Sequence, residues 1–228
     1  MVLEPSTSPI GVLLSGGLDS GILLGTLLRG GHRVRPFYVQ SGLVWEREEL
    51  RAVRRYLAAV SQPSLEDLVI LDLPLSDLYE DHWSTTGLDP PAADSPAEAV
   101  YLPGRNVLLL VKAAVWCQLH GVDQLALGVL ESNPFCDAAP EFFADFQSAL
   151  NRTLGGSLRL ARPFAHLDKR GVMLLGKGLP LELTFSCIAP AEGLHCGQCN
   201  KCAERRAAFR LIHLKDPTRY ATPLPANP

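Results

Sequence analysis

Two stretches of the sequence combine residue types and spacings that could do chemistry, and the first is residues 15–20, Ser-Gly-Gly-Leu-Asp-Ser. It follows the apolar residues 10–14, which are typical of a parallel strand covered on both faces. A helical pattern begins near Leu18. Glycine permits a tight turn, and a helix start directs unpaired N–H groups and a positive dipole end at an anion. The stretch therefore predicts a nucleotide pyrophosphate site, with Ser15 and Ser20 as hydroxyl donors.

Asp19 is the unexpected member of this stretch, because a carboxylate repels a phosphate unless a divalent cation lies between them. The pattern favours Mg²⁺, since proteins bind it through few carboxylates together with substrate phosphates. No lysine follows as in the Gly-x-x-x-x-Gly-Lys-Ser/Thr loop, and Gly-x-Gly-x-x-Gly is not matched either. The alternative is a tight strand-to-helix turn that binds no ligand.

The second stretch has the spacing Cys-x₈-Cys-x₂-Cys-x₂-Cys, at Cys187, Cys196, Cys199 and Cys202. Two Cys-x₂-Cys steps that share one cysteine, with a fourth thiol one loop away, suit tetrahedral Zn²⁺. Four thiolates leave no open position for a substrate, so the spacing predicts a structural zinc site. An iron–sulfur cluster is the alternative. His195 adjoins a ligand, and we expect it to support the site or lie in solvent rather than bind the metal.

Hydrophobic periodicity places both stretches in an α/β chain. Strands are predicted for five apolar segments: residues 10–14, 33–39, 68–73, 124–129 and 158–163. Helices are predicted for residues 18–29, 45–60, 107–120, 140–154, 169–176 and, with a basic face, 203–214. The alternation indicates a parallel sheet with right-handed crossovers. Residues 84–104, rich in Pro, Gly and Asp, are predicted to be a loop, either a lid or a surface insertion.

Further polar residues lie where the predicted elements begin or end. Arg105 and Asn106 precede a helix start, where an arginine suits phosphate or carboxylate; a capping Asn beside a solvated Arg is the alternative. Glu131 and Asp137 follow the fourth strand, and ligands of open α/β sheets sit at the carboxyl ends of strands. They are therefore candidates for binding the acceptor. Lys169 could neutralise a departing pyrophosphate or simply be an exposed lysine at a helix start.

Composition narrows the classes of function. The chain has 228 residues, which is enough for one α/β domain with a small appendage. Its formal net charge of −3 does not indicate a basic surface for nucleic acid. No apolar run could span a membrane, and residues 1–9, an expected disordered leader, lack the basic region of a signal peptide. Without export, we expect the six cysteines to be thiols or metal ligands rather than disulfides. We expect Cys117 to be a small core residue. We expect a cytoplasmic protein.

Three motifs occur together: Ser-Gly-Gly-Leu-Asp-Ser at 15–20, Leu-Pro-Gly-Arg-Asn at 102–106, and Thr-Phe-Ser-Cys with His-Cys-Gly-Gln-Cys-Asn-Lys-Cys-Ala-Glu-Arg within 184–205. Together they resemble the 7-cyano-7-deazaguanine synthase (QueC/ExsB) family of the ATP pyrophosphatase, or PP-loop, superfamily. The resemblance implies a Rossmann-like, five-stranded parallel sheet with helices on both faces and a small zinc-binding segment. It also implies a nucleotide-binding domain over 1–183, a zinc-binding segment over 184–228, and a homodimer.

The same resemblance implies a reaction in which ATP and ammonia convert 7-carboxy-7-deazaguanine into 7-cyano-7-deazaguanine, a step of queuosine biosynthesis. AMP transfer makes a carboxylate oxygen a leaving group, ammonia gives the amide, and a second activation permits dehydration to the nitrile. Carried over by motif, the pyrophosphate and metal are held by Ser15, Gly16, Gly17, Leu18, Asp19 and Ser20. Our candidate catalytic residues are Asp19, Ser20, Arg105 and Lys169. Our candidate acceptor-binding residues are Asn106, Glu131 and Asp137.

Two stretches depart from the family pattern. Residues 39–45 lack an Asp, a Tyr, a Gln and a His that the family usually has after the second strand, and residues 132–137 are a shortened run. One alternative is therefore a paralogue that activates a different carboxylate or joins a deazapurine to another amine. A second alternative is a tRNA-modifying enzyme of the same superfamily. A third is a non-catalytic zinc-ribbon module, and the intact loop at residues 15–20 argues against this third alternative.

Overall fold

In the computed structural model, which describes residues 8–131, 133 and 135–222, the predicted strands form one five-stranded parallel sheet. Its order is β3-β2-β1-β4-β5, so the chain's first strand is central. The strands are β1 (Ile10–Leu13), β2 (Val34–Gln40), β3 (Val69–Asp72), β4 (Gln124–Ala126) and β5 (Arg159–Ala161). The order reverses between β1 and β4, and such a switch point opens a crevice at the carboxyl ends of the strands. The α/β prediction is confirmed.

Eight α-helices lie within the described residues. They are α1 (Leu18–Arg29), α2 (Glu46–Ala59), α3 (Ser76–Tyr79), α4 (Trp83–Thr86), α5 (Arg105–Leu119), α6 (Pro140–Leu154), α7 (Lys169–Leu175) and α8 (Asn200–Leu211). Short 3₁₀ turns lie at Ala97–Val100, Cys136–Ala138 and Leu181–Leu183.

The central strand explains why the sheet is covered on both faces. Ile10, Val12 and Leu14 pack into one apolar cluster with α1, α7 and α8, whereas Leu13 packs into a second with α5 and α6. Successive strand residues point to opposite faces, so an uninterrupted apolar run serves both clusters. The prediction of helices on both faces is confirmed, and Cys117 is a buried member of the second cluster, as predicted.

Several predicted boundaries were wrong. α5 begins at Arg105 rather than 107, because Gly104 adopts a left-handed conformation (φ +72°) and is the N-cap. The predicted loop 84–104 contains most of α4 and a 3₁₀ turn, and the last predicted helix begins at Asn200, directly after a cysteine N-cap. β4 begins where predicted but ends earlier, and β5 is shorter than predicted at both ends. Residues 1–7, which belong to the predicted leader, and residues 223–228 lie outside the described residues.

The C-terminal segment packs on the carboxyl-end side of the sheet. Phe185 N–H donates to the carbonyl of Gly16 at 2.7 Å, and a third apolar cluster joins Phe185 to Trp45 and the buried cysteines. The division at residue 183 stays a prediction. Within the described ranges, no helix is long and apolar enough to cross a membrane.

Candidate active site and metal centre

A cavity of about 300 Å³ lies at the carboxyl ends of β1 and β4, next to the first turn of α1. Most of the predicted nucleotide and catalytic residues line it, although they come from elements far apart in the chain. These are Ser15, Gly17, Asp19, Ser20, Arg105 and Lys169. Leu18 and Asn106 also line it. The cavity therefore brings the predicted pyrophosphate loop, with Asp19, together with Arg105 and Lys169.

The loop between β1 and α1 has the backbone that the sequence predicted. Gly16 has φ +79°, which favours glycine, and a Cβ there would lie 2.8 Å from Cγ of Glu49. The hydroxyls of Ser15 and Ser20 lie 3.2 Å apart. A Cβ on Gly128, at the end of β4, would lie 3.1 Å from the Asp19 backbone, so strand and helix start approach closely. The geometry fits an anion held by N–H groups and hydroxyls.

Four charged side chains form a chain along the cavity. Lys169 Nζ donates to both carboxylate oxygens of Asp19, at 2.9 and 2.8 Å, and lies 3.6 Å from Oε1 of Glu204. The other oxygen of Glu204 accepts from Lys201 Nζ at 2.6 Å. Burial alone would lower the pKa of Lys169, but the carboxylates of Asp19 and Glu204 outweigh burial and hold it above its ordinary value. Lys169 is therefore a fixed positive charge beside the loop.

Arg105 is a further positively charged side chain of the cavity. Its Nε is buried and has no hydrogen-bond partner among the described residues. A buried guanidinium donor without a partner is costly in a folded protein, and an anionic ligand at this position would remove that cost. Together with the loop, Arg105 makes the cavity suited to a phosphate or carboxylate.

The two predicted acceptor residues after β4 lie away from the cavity lining. Asp137 is buried, its Oδ2 accepts from the Asn106 N–H at 3.2 Å, and its carbonyl accepts from the Asn106 side chain at 3.1 Å. A carboxylate at a helix N-terminus is favourable, so Asp137 stabilises the start of α5. Glu131 is exposed, and its N–H donates to the carbonyl of Leu167. Asn106 is the one predicted acceptor residue on the cavity wall.

Glu49 of α2 is a cavity residue that the sequence analysis missed. Its Oε2 accepts from the Tyr38 hydroxyl at 2.7 Å. Burial raises the pKa of Glu49 from its ordinary 4.5 to about 7; Arg105, Tyr38 and Trp45 lower it, and Glu46 raises it. Glu49 is thus a carboxyl group that exchanges a proton near neutral pH inside the cavity.

The four predicted cysteines meet in one cluster, whose sulfur atoms all lie within 4.8 Å of one another. The Cys187–Cys199 and Cys196–Cys202 sulfur pairs are each 3.9 Å apart. Zn–S bonds of about 2.3 Å in a tetrahedron place sulfur atoms about 3.8 Å apart, so the cluster could hold zinc. Three of the four residues are buried.

Two buried side chains, those of His195 and Arg205, lie beside the cluster. His195 is buried and its Nε2 accepts from the Ser186 N–H at 3.1 Å, so it lies outside the cluster and braces the loop that carries Cys187. Burial lowers the pKa of His195 to about 3, so it is neutral. The predicted basic face of the helix over 203–214 includes Arg205, and for this residue the prediction is wrong. Arg205 is 1% exposed and donates to Thr184, Ser186, Thr218 and the carbonyl of Leu181.

The missed cavity residues share one cause. Glu49, Lys201 and Glu204 lie on helices α2 and α8, and only the packing of those helices turns them toward the loop. Lys201 and Glu204 carried one usable signal, because they lie within the cysteine stretch that packs beside the loop.

Comparisons with known proteins agree with this geometry. A family model described as "Queuosine biosynthesis protein QueC" matches residues 10–213. A relative from Solidesulfovibrio magneticus named 7-cyano-7-deazaguanine synthase is 34% identical, over 92% of this chain and 94% of its own length. A relative of the same name from Thiobacillus denitrificans is 32% identical, over 92% of this chain and 97% of its own length.

Proposed function

The chain belongs to the QueC family of queuosine biosynthesis proteins, and we propose that it is an ATP-dependent synthase of 7-cyano-7-deazaguanine. In this reaction 7-carboxy-7-deazaguanine receives nitrogen from ammonia. The observation that carries the proposal is the cavity itself, in which the loop of residues 15–20, with Asp19, lies beside Lys169 and Arg105. An anionic ligand in this cavity would also give a partner to the buried Nε of Arg105, which has none among the described residues.

ATP supplies the AMP group that makes a carboxylate oxygen, and later an amide oxygen, able to leave. The chain's own part is positioning and charge stabilisation. The N–H groups and hydroxyls of the loop would hold the pyrophosphate, and the Lys169 ammonium would balance the charge that develops as it departs. Asp19 would hold Mg²⁺, because its carboxylate is an oxygen ligand located at the phosphate end of the cavity.

The acceptor carboxylate would lie against Arg105 and Asn106. Arg105 offers the unpaired Nε, and the N-terminal turn of α5 adds a positive dipole end. Asn106 is held in place by Asp137, which fixes the side chain that faces the acceptor. Asp137 therefore acts through Asn106 rather than by contact with the acceptor. Glu131, exposed and away from the cavity, has no such link, and its role in acceptor binding stays a prediction.

The stretch that departs from the family is built into the wall of the site. Leu43 and Trp45 are buried, Trp45 stacks on Trp83 with ring centres 5.7 Å apart, and Trp45 lines the cavity. Glu46 accepts from the backbone N–H groups of Ser41 and Gly42, which fixes this turn. An ordered aromatic wall can accommodate a planar deazapurine, so we retain the family substrate for this chain.

Three further properties belong to the same proposal. The cysteine cluster would hold structural Zn²⁺, since four sulfur ligands leave no open position. The working assembly would be a homodimer, as the family resemblance implies, and it would be located in the cytoplasm, as we expect from the composition. The substrates would be small molecules, and a net charge of −3 favours no direct contact with nucleic acid.

The test is an incubation of metal-loaded protein with ATP, Mg²⁺, ammonium and 7-carboxy-7-deazaguanine, in which AMP and the product mass are followed. We expect the nitrile and two AMP for each nitrile formed. Omission of ammonium should abolish the nitrile. AMP formed only with a different carboxylate would replace the substrate by that of a paralogue, and no AMP with any carboxylate would overturn the proposal.

A further inference from the structure

The nucleotide cavity contains a conflict between two partners of Asp19. Lys169 occupies both carboxylate oxygens, at 2.9 and 2.8 Å. The proposed function requires the same oxygens for a divalent cation. A Mg²⁺ ion bound to these oxygens would compete with the Lys169 ammonium, because the two positive charges repel each other at such short range. Cation binding would therefore weaken the contact between Lys169 and Asp19, and a second partner would then keep Lys169 in the cavity.

Glu204 is in place to be that partner. Its Oε1 already lies 3.6 Å from Lys169 Nζ, and an ammonium has three donors, so contact with Glu204 does not depend on contact with Asp19. Its Oε2 is held by Lys201 at 2.6 Å, which fixes the direction of the carboxylate. The helix that carries Glu204 starts from Cys199 as its N-cap, so the cysteine cluster anchors this residue.

We propose that Glu204 is a positioning residue that retains Lys169 in the cavity while Asp19 exchanges Lys169 for a divalent cation. The inference rests on the proposed function, since it concerns cation and nucleotide binding at the same site. It also gives the cysteine segment a second effect, because that segment delivers Glu204 to the loop. Without Glu204, the ammonium would stay on Asp19 and compete more strongly with the cation.

The experiment measures Mn²⁺ affinity by the loss of the free-ion electron paramagnetic resonance signal, in the presence of an ATP analogue with a methylene bridge between the α and β phosphates. Four variants of the metal-loaded protein form a cycle: wild type, Glu204→Gln, Lys169→Met, and the double variant. Glu204→Gln should weaken Mn²⁺ binding about threefold, the size expected of a partly exposed ion pair. In the Lys169→Met background, Glu204→Gln should have no effect.

The controls separate positioning from general electrostatics. Glu141→Gln removes an exposed carboxylate from α6 and should leave Mn²⁺ affinity unchanged. An equal loss in both Lys169 backgrounds would mean that Glu204 attracts the cation directly, and this would overturn the inference, as would no loss in either. Failure of the wild-type protein to bind the nucleotide analogue would overturn the proposed function and the inference together.

Discussion

The cysteine cluster and the nucleotide cavity are neighbouring regions that differ in how their parts come together. The cluster takes four residues of one type from residues 187–202, and their sulfur atoms lie within 4.8 Å. The cavity takes residues of several types from α1, α2, α5, α7 and α8. Once a metal is present, the four cysteines of the cluster need no further ligand, whereas the cavity leaves charged side chains facing an open space.

The difference shows what each region contributes. Metal binding in a four-thiolate site is folding free energy, so a metal held by the cluster would stabilise the chain. The cavity retains a partnerless Arg105 Nε and a Glu49 whose pKa lies near 7, and both are features that stability alone would not select. Variants in the two regions should therefore fail in different ways.

The largest effect is expected from Cys199→Ser, which removes one of four ligands. The protein should lose its metal and more than about 4 kcal/mol of unfolding free energy, since loss of a metal site is among the most destabilising changes. Metal content by mass spectrometry and urea denaturation measure both. The exposed Cys136 supplies the matched control, because Cys136→Ser should change neither. Normal metal content in Cys199→Ser would contradict the four-ligand site and, with it, the contrast between the two regions. Iron with sulfide in the wild-type protein, instead of zinc, would mean that the cluster holds an iron–sulfur centre.

Asp19→Asn should lower activity strongly and stability only slightly. The neutral amide can neither bind Mg²⁺ nor balance Lys169, so AMP formation should fall at least about 100-fold, which corresponds to about 2.7 kcal/mol in the barrier. The lost pair with Lys169 is partly exposed, so the free energy of unfolding should change by at most about 1 kcal/mol. Asp145→Asn, on the exposed face of α6, is the control. Normal AMP formation in Asp19→Asn would contradict the role of this carboxylate.

Glu49→Gln should reveal a smaller, pH-dependent effect. The folded-state pKa of Glu49, about 7, exceeds its ordinary 4.5, so the stability from protonated Glu49 is complete below pH 4.5 and is lost as pH rises through 7. Glutamine does not titrate, and its side-chain oxygen can still accept from Tyr38. The wild type should therefore lose about 2 kcal/mol relative to Glu49→Gln between pH 5 and pH 8, by urea denaturation. A constant difference would mean that Glu49 titrates at its ordinary value.

Much of the fold could be predicted because its signals are local. The apolar run of β1 and the glycine turn specify a buried strand, a turn and a helix start without reference to distant residues. The cysteine spacing was equally local. The start of α5 was misplaced because Gly104 caps it through a left-handed backbone conformation, which composition does not reveal.

The wall of the cavity could not be predicted to the same extent. In the sequence, Glu49 looks like any charged residue of an amphipathic helix, and Arg205 looks like part of a basic face. The tertiary packing buries Arg205 and directs Glu49 to the cavity. Asp137 was predicted near the acceptor from its place after β4, but its carboxylate binds the first turn of α5. Side-chain direction at the end of a strand depends on neighbouring elements that spacing does not specify.

The most direct test of the central claim follows oxygen from the substrate. The protein is incubated with ATP, Mg²⁺, ammonium and 7-carboxy-7-deazaguanine that carries ¹⁸O in both carboxylate oxygens, and the AMP is analysed by mass spectrometry. If the cavity transfers AMP to the carboxylate and then to the amide, each AMP will contain one ¹⁸O atom and pyrophosphate will contain none. Unlabelled AMP, or ¹⁸O in pyrophosphate, would contradict the account.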